Sequence, residues 1–569
     1  MSRRILYFCM LCSLLFSLQG IKAEDSHQTL LEAVKLADEA ARQAEEAQKA
    51  VQQATEAAKK AAGQAKKLAE LSYLQHIEQR RAERVSQLPP PPKPPEVAVP
   101  IHNPIDQFIA VKWSAEDQPE VCDDAIFLRR IYLDIVGYVP PADEVEKFLK
   151  DKDPEKRSKK IDALLAMHED YAIHWTQFWE DALCSNGKHQ GGVGTRSDFQ
   201  EYIIESFKQN KPYDVFVYQL LDPQSIGYRG GYVRSQTHLD SVQTAANVGQ
   251  VFLGTRMKCA SCHDHFLNFE WTQKRFMGFA SFFSEEDLEL IRCEVKLGET
   301  VEPAFIFENG TAAREELDTL ENRLHEVTQL IVDPANPRFS SAFVNRLWKR
   351  YMGLGLIEPV DDFREDRMPS HPELLHWLAY EFASSGYDIK HMIRLILNSR
   401  TYQMKFSPEL ADRYEEGTDY SPLFRSPILR RLTCEQVLDS INVALELNHK
   451  RAAFDENSNG LTRALGRPET RNEVITVRSD DVAVIQALEM MNGNFLHTQV
   501  YQAEFPKTLA EYENPAESVR KLFLHVYSRY PTEQESEATV AFAGEEANAV
   551  EWADILWAML VSPQFQYVY

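Results

Sequence analysis

Apolar residues recur at helical spacing through most of the chain beyond residue 100. After Pro141, for example, Val145, Phe148 and Leu149 fall on one face of a predicted helix. Strand-like alternation is confined to residues 294–295 and 305–307. The pattern predicts a mainly α fold, a multi-helix globular head with a minor β element. Further helices are predicted over residues 158–168, 171–184, 197–209, 240–255, 271–283, 339–352, 371–385, 388–399, 433–447 and 482–491.

The segment before residue 87 follows a different pattern. Residues 27–86 are rich in Ala, Glu, Gln and Lys, contain a single glycine, Gly63, and lack proline, so they predict one long helix. Small and apolar residues such as Val34, Ala41 and Val51 recur along it at three-four spacing. This stripe favours self-association through residues 27–86 as a coiled coil, but a solitary solvated stalk accounts for it equally well.

A proline-rich run follows the predicted stalk. Residues 89–92, 94 and 95 are all proline. Such a run cannot form a helix and is stiff and extended. It predicts a spacer between the stalk and the globular head.

The chain opens with the pattern of a secretory signal. Arg3 and Arg4 precede an apolar stretch over residues 5–18, and Ala23 offers a small-residue cleavage position. The stretch is shorter than the roughly 20 residues that span a bilayer, which favours cleavage over an uncleaved anchor. We therefore predict an exported protein of the periplasm or cell envelope, with no transmembrane span after signal cleavage.

The charge balance limits the kind of partner. The formal net charge is −24 at pH 7. Nucleic-acid binding needs a concentrated basic surface, and no run of Lys and Arg provides one, so no nucleic acid is expected as a ligand. An acidic surface can instead dock a basic partner protein.

One short motif carries chemistry, the sequence Cys259-Ala260-Ser261-Cys262-His263. Covalent attachment of haem c needs this C-x-x-C-H order, because two thiols bond the porphyrin and the adjacent imidazole reaches the iron. By composition alone, roughly 0.003 such matches are expected in a chain of this length. The motif predicts haem c bound by Cys259, Cys262 and His263, with His263 as the ligand to the metal.

Two other interpretations of the motif remain open. The two cysteines could form a disulfide, or Cys259, Cys262, His263 and His265 could form a compact zinc site. The sixth ligand of a bound haem is also left open. Its candidates are His238, Met257, Met277 and His265.

Two other groups of residues draw attention. His174, Trp175 and Trp179 have helical spacing and are predicted to fill a core rather than to bind a ligand. Residues 361–362 and 365–366 are acidic, which indicates either a carboxylate pair for acid–base chemistry or, more often, a solvated loop. No catalytic residue is assigned.

Several motifs resemble a known pair of domains. Residues 128–137, 252–254, 259–265 and 279–283 are similar to the planctomycete cytochrome-c-like domain of unknown function. Residues 344–348, 353–356, 359–363, 369–375 and 398–403 resemble its partner planctomycete domain of unknown function. The resemblance implies an exported bacterial protein with a CxxCH site, and it supplies no activity. After His265, the family usually has a basic residue and Asp-Pro, whereas this chain has Phe266-Leu267-Asn268-Phe269.

Together these features predict the domain organisation. The segments are a signal peptide at 1–23, an Ala-rich helical or coiled-coil stalk at 24–87, a Pro-rich linker at 88–100, a cytochrome-c-like domain with CxxCH at 101–290, a short insert at 291–335 and a helical partner domain at 336–569. Three functions fit this organisation. They are an electron-transfer protein that binds haem c and meets a redox partner protein, an extracellular enzyme with a CxxCH redox or metal centre, and an envelope scaffold protein.

Overall fold

The computed structural model describes most of the chain from residue 23 onward. The residues outside the description are 1–22, 115, 118, 184–195, 229, 236–239, 267–268, 293–294, 308–316, 415–420, 455–459, 469–470, 472, 479–483 and 545–546. The predicted signal peptide therefore lies almost wholly outside the described residues. Helices account for 60% of the chain and strands for 4%, which confirms the predicted mainly α fold. The chain divides into two compact units, Met1–Gln75 and His76–Tyr569.

The first helix, α1 (Ala23–Ser86), is the long helix that the Ala-rich segment predicts. Strong helix formers fill the segment, and its single Gly63 meets no neighbouring atom where a side chain would begin. Val34, Val51 and Leu68 are exposed along it. Self-association through this stripe stays a prediction. Among the described residues, no helix combines the length and the apolar character that crossing a membrane requires.

The unit His76–Tyr569 is built from short helices joined by turns and by longer irregular segments, such as residues 398–429. Its first part contains α2 (Pro104–Ala110), α3 (Asp124–Ile135), α4 (Ala142–Lys150), α5 (Lys156–Leu165), α6 (His168–Ala182), α7 (Arg196–Lys208), α8 (Tyr213–Leu221), α9 (Gly231–Ser235), α10 (Ser241–Leu253), a 3-10 turn (Lys258–Ser261) and α11 (Gln273–Ser281). The helices that the sequence predicted in this region are among them, because the apolar face of each helix is formed by residues of one short segment.

A hairpin separates these helices from the second part. Strand β1 (Leu288–Arg292) pairs antiparallel with β2 (Val295–Val301), with Leu288 opposite Val301. Then follow α12 (Leu320–Val332), α13 (Phe339–Met352), α14 (Pro372–Ser384), α15 (Ile389–Leu397), β3 (Arg430–Arg431), α16 (Cys434–Ala444), a 3-10 turn (Ala452–Phe454), α17 (Gly460–Ala464), α18 (Val484–Asn492), α19 (Asn494–Gln502), α20 (Phe505–Ala510), α21 (Pro515–Tyr527), α22 (Glu533–Ala543), α23 (Ala549–Val561), α24 (Pro563–Gln566) and β4 (Tyr567–Val568), which pairs with β3.

The strand predicted over residues 305–307 was wrong, whereas Val295 does begin a strand. Phe305, Ile306 and Phe307 form no strand and pack inward, with the Phe305 ring between Phe279 and Phe307. Three successive apolar residues cannot alternate between a core and a solvent face. The Ile306 carbonyl instead accepts a hydrogen bond from Arg275 Nε at 3.1 Å.

Two hydrophobic cores fill the unit. The first gathers buried residues mainly from 105–424 and includes stacked aromatic rings such as Tyr213 and Phe343, whose centroids are 4.0 Å apart. The second gathers Leu133, Val139 and buried residues from 432–568. Arg129 links the C-terminal helices to α3, because its guanidinium donates to the carbonyl oxygens of Val526 at 3.1 Å and Phe565 at 2.7 Å.

Candidate functional site

The CxxCH motif is positioned by the end of α10. Asp240 caps the start of this helix, where its side chain accepts from the Gln243 backbone N–H. Gly254 ends the helix with φ +60°, a conformation that glycine adopts without strain. The Gly254 carbonyl accepts from the Phe363 backbone N–H at 2.7 Å. The chain leaving α10 is therefore fixed to the segment around residue 363 before it reaches the motif.

The 3-10 turn Lys258–Ser261 sets the directions of the two thiols. Cys259 and Cys262 are exposed free thiols, while Ala260 and Ser261 between them are buried. The Ser261 carbonyl accepts a hydrogen bond from Gln273 Nε2 of α11 at 2.9 Å, which fixes the turn to that helix. The turn thus presents both sulfur atoms to solvent, without a bond between them.

His263 is exposed and its tautomer follows from one contact. Its Nδ1 lies 2.7 Å from the carbonyl oxygen of Asp264. A carbonyl oxygen only accepts, so Nδ1 carries the proton and donates, which leaves the Nε2 lone pair as the metal-binding nitrogen. Imidazoles that bind metals are commonly oriented in this way by a backbone carbonyl. The His263 ring also packs on Phe266, with centroids 4.3 Å apart.

A cleft of about 440 Å³ opens beside Cys259. Its walls carry four cationic side chains, Arg256, Lys258, Arg364 and Arg367, and one carboxylate, Asp362. Burial raises the pKa of Asp362, and the neighbouring arginines oppose that rise. The remaining lining residues are Gln243, Ala246, Asn247, Gln250, Met257, Cys259, His265, Phe266 and Pro359.

Two of the candidate sixth ligands lie at this cleft. Met257 lines it with its side chain buried against Gly249. His265 lines it too; its backbone N–H donates to the Trp271 carbonyl at 3.0 Å, and burial lowers its pKa. Met277 is buried in the first core and does not line the cleft. His238 lies outside the described residues.

The zinc hypothesis has less support from the geometry. Within the part of the chain that the structure describes, no three His, Cys, Asp or Glu side chains converge in a way that could hold a metal ion. Cys259, Cys262, His263 and His265 therefore do not form a ready tetrahedral site. Attachment of haem c requires two accessible thiols at this spacing and an adjacent imidazole with a free nitrogen. These are the groups that the turn presents.

The expectation of a solvated acidic loop was confirmed at residues 365–366, which are exposed, and was wrong at residues 361–362. Asp361 is buried and accepts from Arg256 Nη2 at 2.7 Å, Gln250 Nε2 at 2.7 Å and Thr476 Oγ1 at 2.6 Å. Burial acts to raise its pKa, but Arg256 and the hydrogen bonds outweigh that effect and lower it. The carboxylate therefore fixes Arg256 at the cleft mouth. The core positions predicted for His174, Trp175 and Trp179 were confirmed, since all three are buried.

The fold and the site define a mainly helical protein with an exposed CxxCH turn. Residues 104–287, which contain that turn, match PSCyt2, a protein of unknown function (DUF1549). Residues 322–455 match PSD1, a protein of unknown function (DUF1553). The chain carries these two domains of unknown function in the order that its motifs predicted. No curated protein and no solved structure matches the chain.

Proposed function

We propose that this protein is an exported c-type haem protein that transfers electrons in the periplasm or cell envelope. The observation that carries the proposal is the state of the motif. Cys259 and Cys262 are free and exposed, and His263 presents Nε2 while Asp264 holds Nδ1. Other cysteines in the described residues, Cys122 and Cys434, are buried.

Each residue of the motif has a distinct part in this function. Cys259 and Cys262 would bond the porphyrin through thioethers, and His263 Nε2 would bind the iron. The bound haem would supply one-electron redox chemistry. The hydrogen bond from Nδ1 to the Asp264 carbonyl keeps the ring oriented and raises its basicity toward a metal.

The cleft supports the same proposal. The propionates of a haem are carboxylates, and Arg256, Lys258, Arg364 and Arg367 line the cleft. These cations already face carboxylates of the protein, namely Asp361, Asp240, Asp366 and Asp362, so a propionate would share them rather than meet unpaired charges. Met257 and His265 are the side chains at the cleft with the chemistry of a sixth ligand. Exposed Phe266 provides apolar surface beside His263.

Export and partner docking complete the proposal. Haem c attachment takes place outside the cytoplasm, which agrees with the predicted signal at residues 1–23. The net charge of −24 favours a redox partner with a basic docking surface. An extracellular enzyme or an envelope scaffold would keep the same fold without needing covalent haem.

The test is covalent haem content. The full chain is produced in a bacterium with haem c maturation machinery, and a pyridine haemochrome spectrum is recorded after acid–acetone extraction of loose haem. We expect one haem per chain in the unaltered protein, a loss or a spectral shift in Cys259→Ser and Cys262→Ser, and no change in Cys122→Ala. The proposal is refuted if this protein is exported without covalent haem while a known cytochrome in the same cells acquires it. The enzyme and scaffold alternatives would then remain.

A further inference from the structure

A second cavity, of about 200 Å³, lies away from the CxxCH turn. Asp134 and His174 in its wall come from the PSCyt2 region, and Arg346, Arg350 and Arg430 come from the PSD1 region. The cavity therefore lies where these two parts of one compact unit meet. It takes no part in the electron-transfer proposal.

The walls of this cavity are strongly basic. The cationic side chains that line it are Arg346, Lys349, Arg350, Arg430, Arg431 and Arg478. The carboxylates among its lining residues are Asp134 and Asp181. This excess of positive charge occurs in a chain whose net charge is −24, so it does not reflect the composition of the protein.

Some of these cations are already neutralised. Arg430 donates to both carboxylate oxygens of Asp134, at 2.7 and 2.8 Å. Arg478 pairs with Asp181 at 2.6 Å. Lys349 pairs with Glu358 at 2.9 Å. These ion pairs build the wall and leave little charge for a ligand.

Arg346 and Arg350 differ from them. Within the described residues, neither forms an ion pair with a carboxylate, and the Nε of each is buried without a hydrogen-bond partner. Arg346 is only 5% exposed; its Nη1 donates to the Val251 carbonyl at 2.9 Å, which positions the side chain without neutralising it. The Arg350 guanidinium lies over the Trp175 ring, 4.4 Å from its centroid.

This arrangement is unfavourable without a ligand. The two arginines are four residues apart on α13, so they lie on the same face of the helix and repel each other. Arg350 is half-buried, but Arg346 is a buried charge, which is costly unless it is paired, and a buried donor without a partner requires an explanation. An anion held by the two guanidinium groups would neutralise the buried charge of Arg346 and offset the repulsion between the two side chains.

His174 also lines the cavity. It is buried, and burial, together with Arg350 and Arg451, lowers its pKa well below the ordinary value. The ring is therefore neutral at physiological pH and offers one N–H donor without adding a third repelling cation. The neighbouring Trp175 ring contacts the Arg350 guanidinium, and such stacking limits the movement of the side chain.

We infer that this cavity binds a small oxyanion, phosphate or sulfate, either free or as the terminal group of a small molecule, and that Arg346 and Arg350 are its principal ligands. Guanidinium groups bind such oxyanions through paired, charge-assisted hydrogen bonds. The volume admits a compact anion with a short substituent.

The test begins with the unaltered full chain. Binding of inorganic phosphate and inorganic sulfate is measured by isothermal titration calorimetry at constant ionic strength, with chloride as the reference salt. Methyl phosphate and methyl sulfate form a second arm, which distinguishes a site for the free ion from a site for a terminal group. We expect saturable one-to-one binding of at least one of the four anions and a higher melting temperature in its presence.

Three substitutions locate the site. Arg350→Gln keeps a planar amide near Trp175 and removes the charge, so we expect roughly 10- to 100-fold weaker binding, as for loss of a hydrogen bond to a charged group. Arg350→Lys keeps the charge and should retain part of the affinity. Lys450→Gln removes an exposed cation elsewhere and should bind as the unaltered protein does.

Two outcomes would overturn the inference. One is no saturable binding of any of the four anions to the unaltered chain. The other is equal affinity in Arg350→Gln and Lys450→Gln. The first outcome uses only the unaltered protein, so it can refute the inference even where a variant fails to fold. Neither outcome depends on whether haem is bound.

Discussion

Arg81 Nη1 lies 3.0 Å from each of the two carboxylate oxygens of Asp214. Three residues further on, Arg84 Nε lies 3.1 Å from both oxygens of Asp333. Both arginines stand in the last turns of α1, within the unit His76–Tyr569. The C-terminal end of the long helix is therefore part of the globular unit, held to α8 and the end of α12 by two ion pairs.

We expect Arg81→Ala to lower the free energy of unfolding by about 2–3 kcal/mol at pH 8, because it leaves a buried carboxylate without its partner. Burial already raises the pKa of Asp214, with Arg81 opposing the rise. Without Arg81, the pKa of Asp214 in the folded state rises further above its value in the unfolded state. The Asp214 carboxyl then becomes neutral as the pH falls, so the loss of unfolding free energy should shrink toward pH 5. Urea unfolding at the two pH values measures this.

Arg42→Ala is the matched control for this substitution. Arg42 is an exposed arginine of the same helix, and its removal should change stability by less than about 0.5 kcal/mol. Equal losses in the two variants, or a loss in Arg81→Ala that does not depend on pH, would contradict the buried ion pair.

Gly249 gives the second prediction. A Cβ atom placed on it would lie 2.3 Å from Met257 Cε, too close for any real contact. Alanine usually stabilises a helix by up to about 1 kcal/mol relative to glycine. Met257 Cε is the far end of a flexible side chain, but Met257 is fully buried, so we expect its displacement to outweigh that gain and destabilise the protein by about 1 kcal/mol. Thermal unfolding followed by circular dichroism tests the sign.

Gly63→Ala is the control, because nothing lies within 4 Å of that position. It should raise the helical signal of α1 slightly. A Gly249→Ala variant as stable as the unaltered protein would mean that Met257 is free to leave its place, and that the cleft wall at this point is not fixed by packing.

The sequence predicted those parts of the fold that are encoded locally. The helix from Pro372 to Ser384 and the one from Ile389 to Leu397 were found because the apolar face of each lies within a single segment. The three residues at 305–307 were misassigned because their environment is set by Phe279 and Arg275, which are far from them in sequence.

The site was predictable to the same limited extent. The CxxCH motif could be recognised in the sequence, because Cys259, Cys262 and His263 are neighbours in the chain. The position of Arg364 and Arg367 at the same cleft was not, because a contact across about 100 residues leaves no local pattern. The same holds for the pairing of Asp361 with Arg256, which turned an apparent surface cluster into a buried one.

Glu435 gives a prediction about acid stability. Burial acts to raise its pKa, but Arg478 and Arg467 outweigh burial and lower it to about 2. Arg478 Nη1 lies 2.7 Å from Glu435 Oε2, and Arg467 Nε lies 3.0 Å from Oε1. A folded-state pKa below the unfolded value means that this carboxylate stabilises the fold fully above about pH 4.5 and loses that effect as the pH falls toward 2.

We therefore expect Glu435→Gln to cost about 3 kcal/mol of unfolding free energy at pH 7. The difference from the unaltered protein should narrow below pH 4.5, because the unfolded state of the unaltered protein binds a proton at Glu435 there while the folded state stays ionised, which lowers its free energy of unfolding. Denaturant unfolding at pH 7 and pH 3.5 measures the two differences. Glu537→Gln, at an exposed position, should show no such narrowing, and a constant difference for Glu435→Gln would contradict the lowered pKa.

Phe266 supplies the last prediction, which separates stability from redox function. Its side chain is 73% exposed, yet its ring packs against His263 with centroids 4.3 Å apart. Exposed aromatic side chains contribute little to folding, so Phe266→Ala should change the unfolding free energy by less than about 0.5 kcal/mol. Polarity and solvent access around a haem set its reduction potential, so under the proposed function the same substitution should lower the midpoint potential of protein that has acquired haem. Phe542→Ala is the control, since Phe542 is also 73% exposed and lies in α22, outside the cleft lining. A spectroelectrochemical titration that gives the same potential for both variants would show that Phe266 does not shield the haem, while a large fall in stability for Phe266→Ala would show that its role is structural.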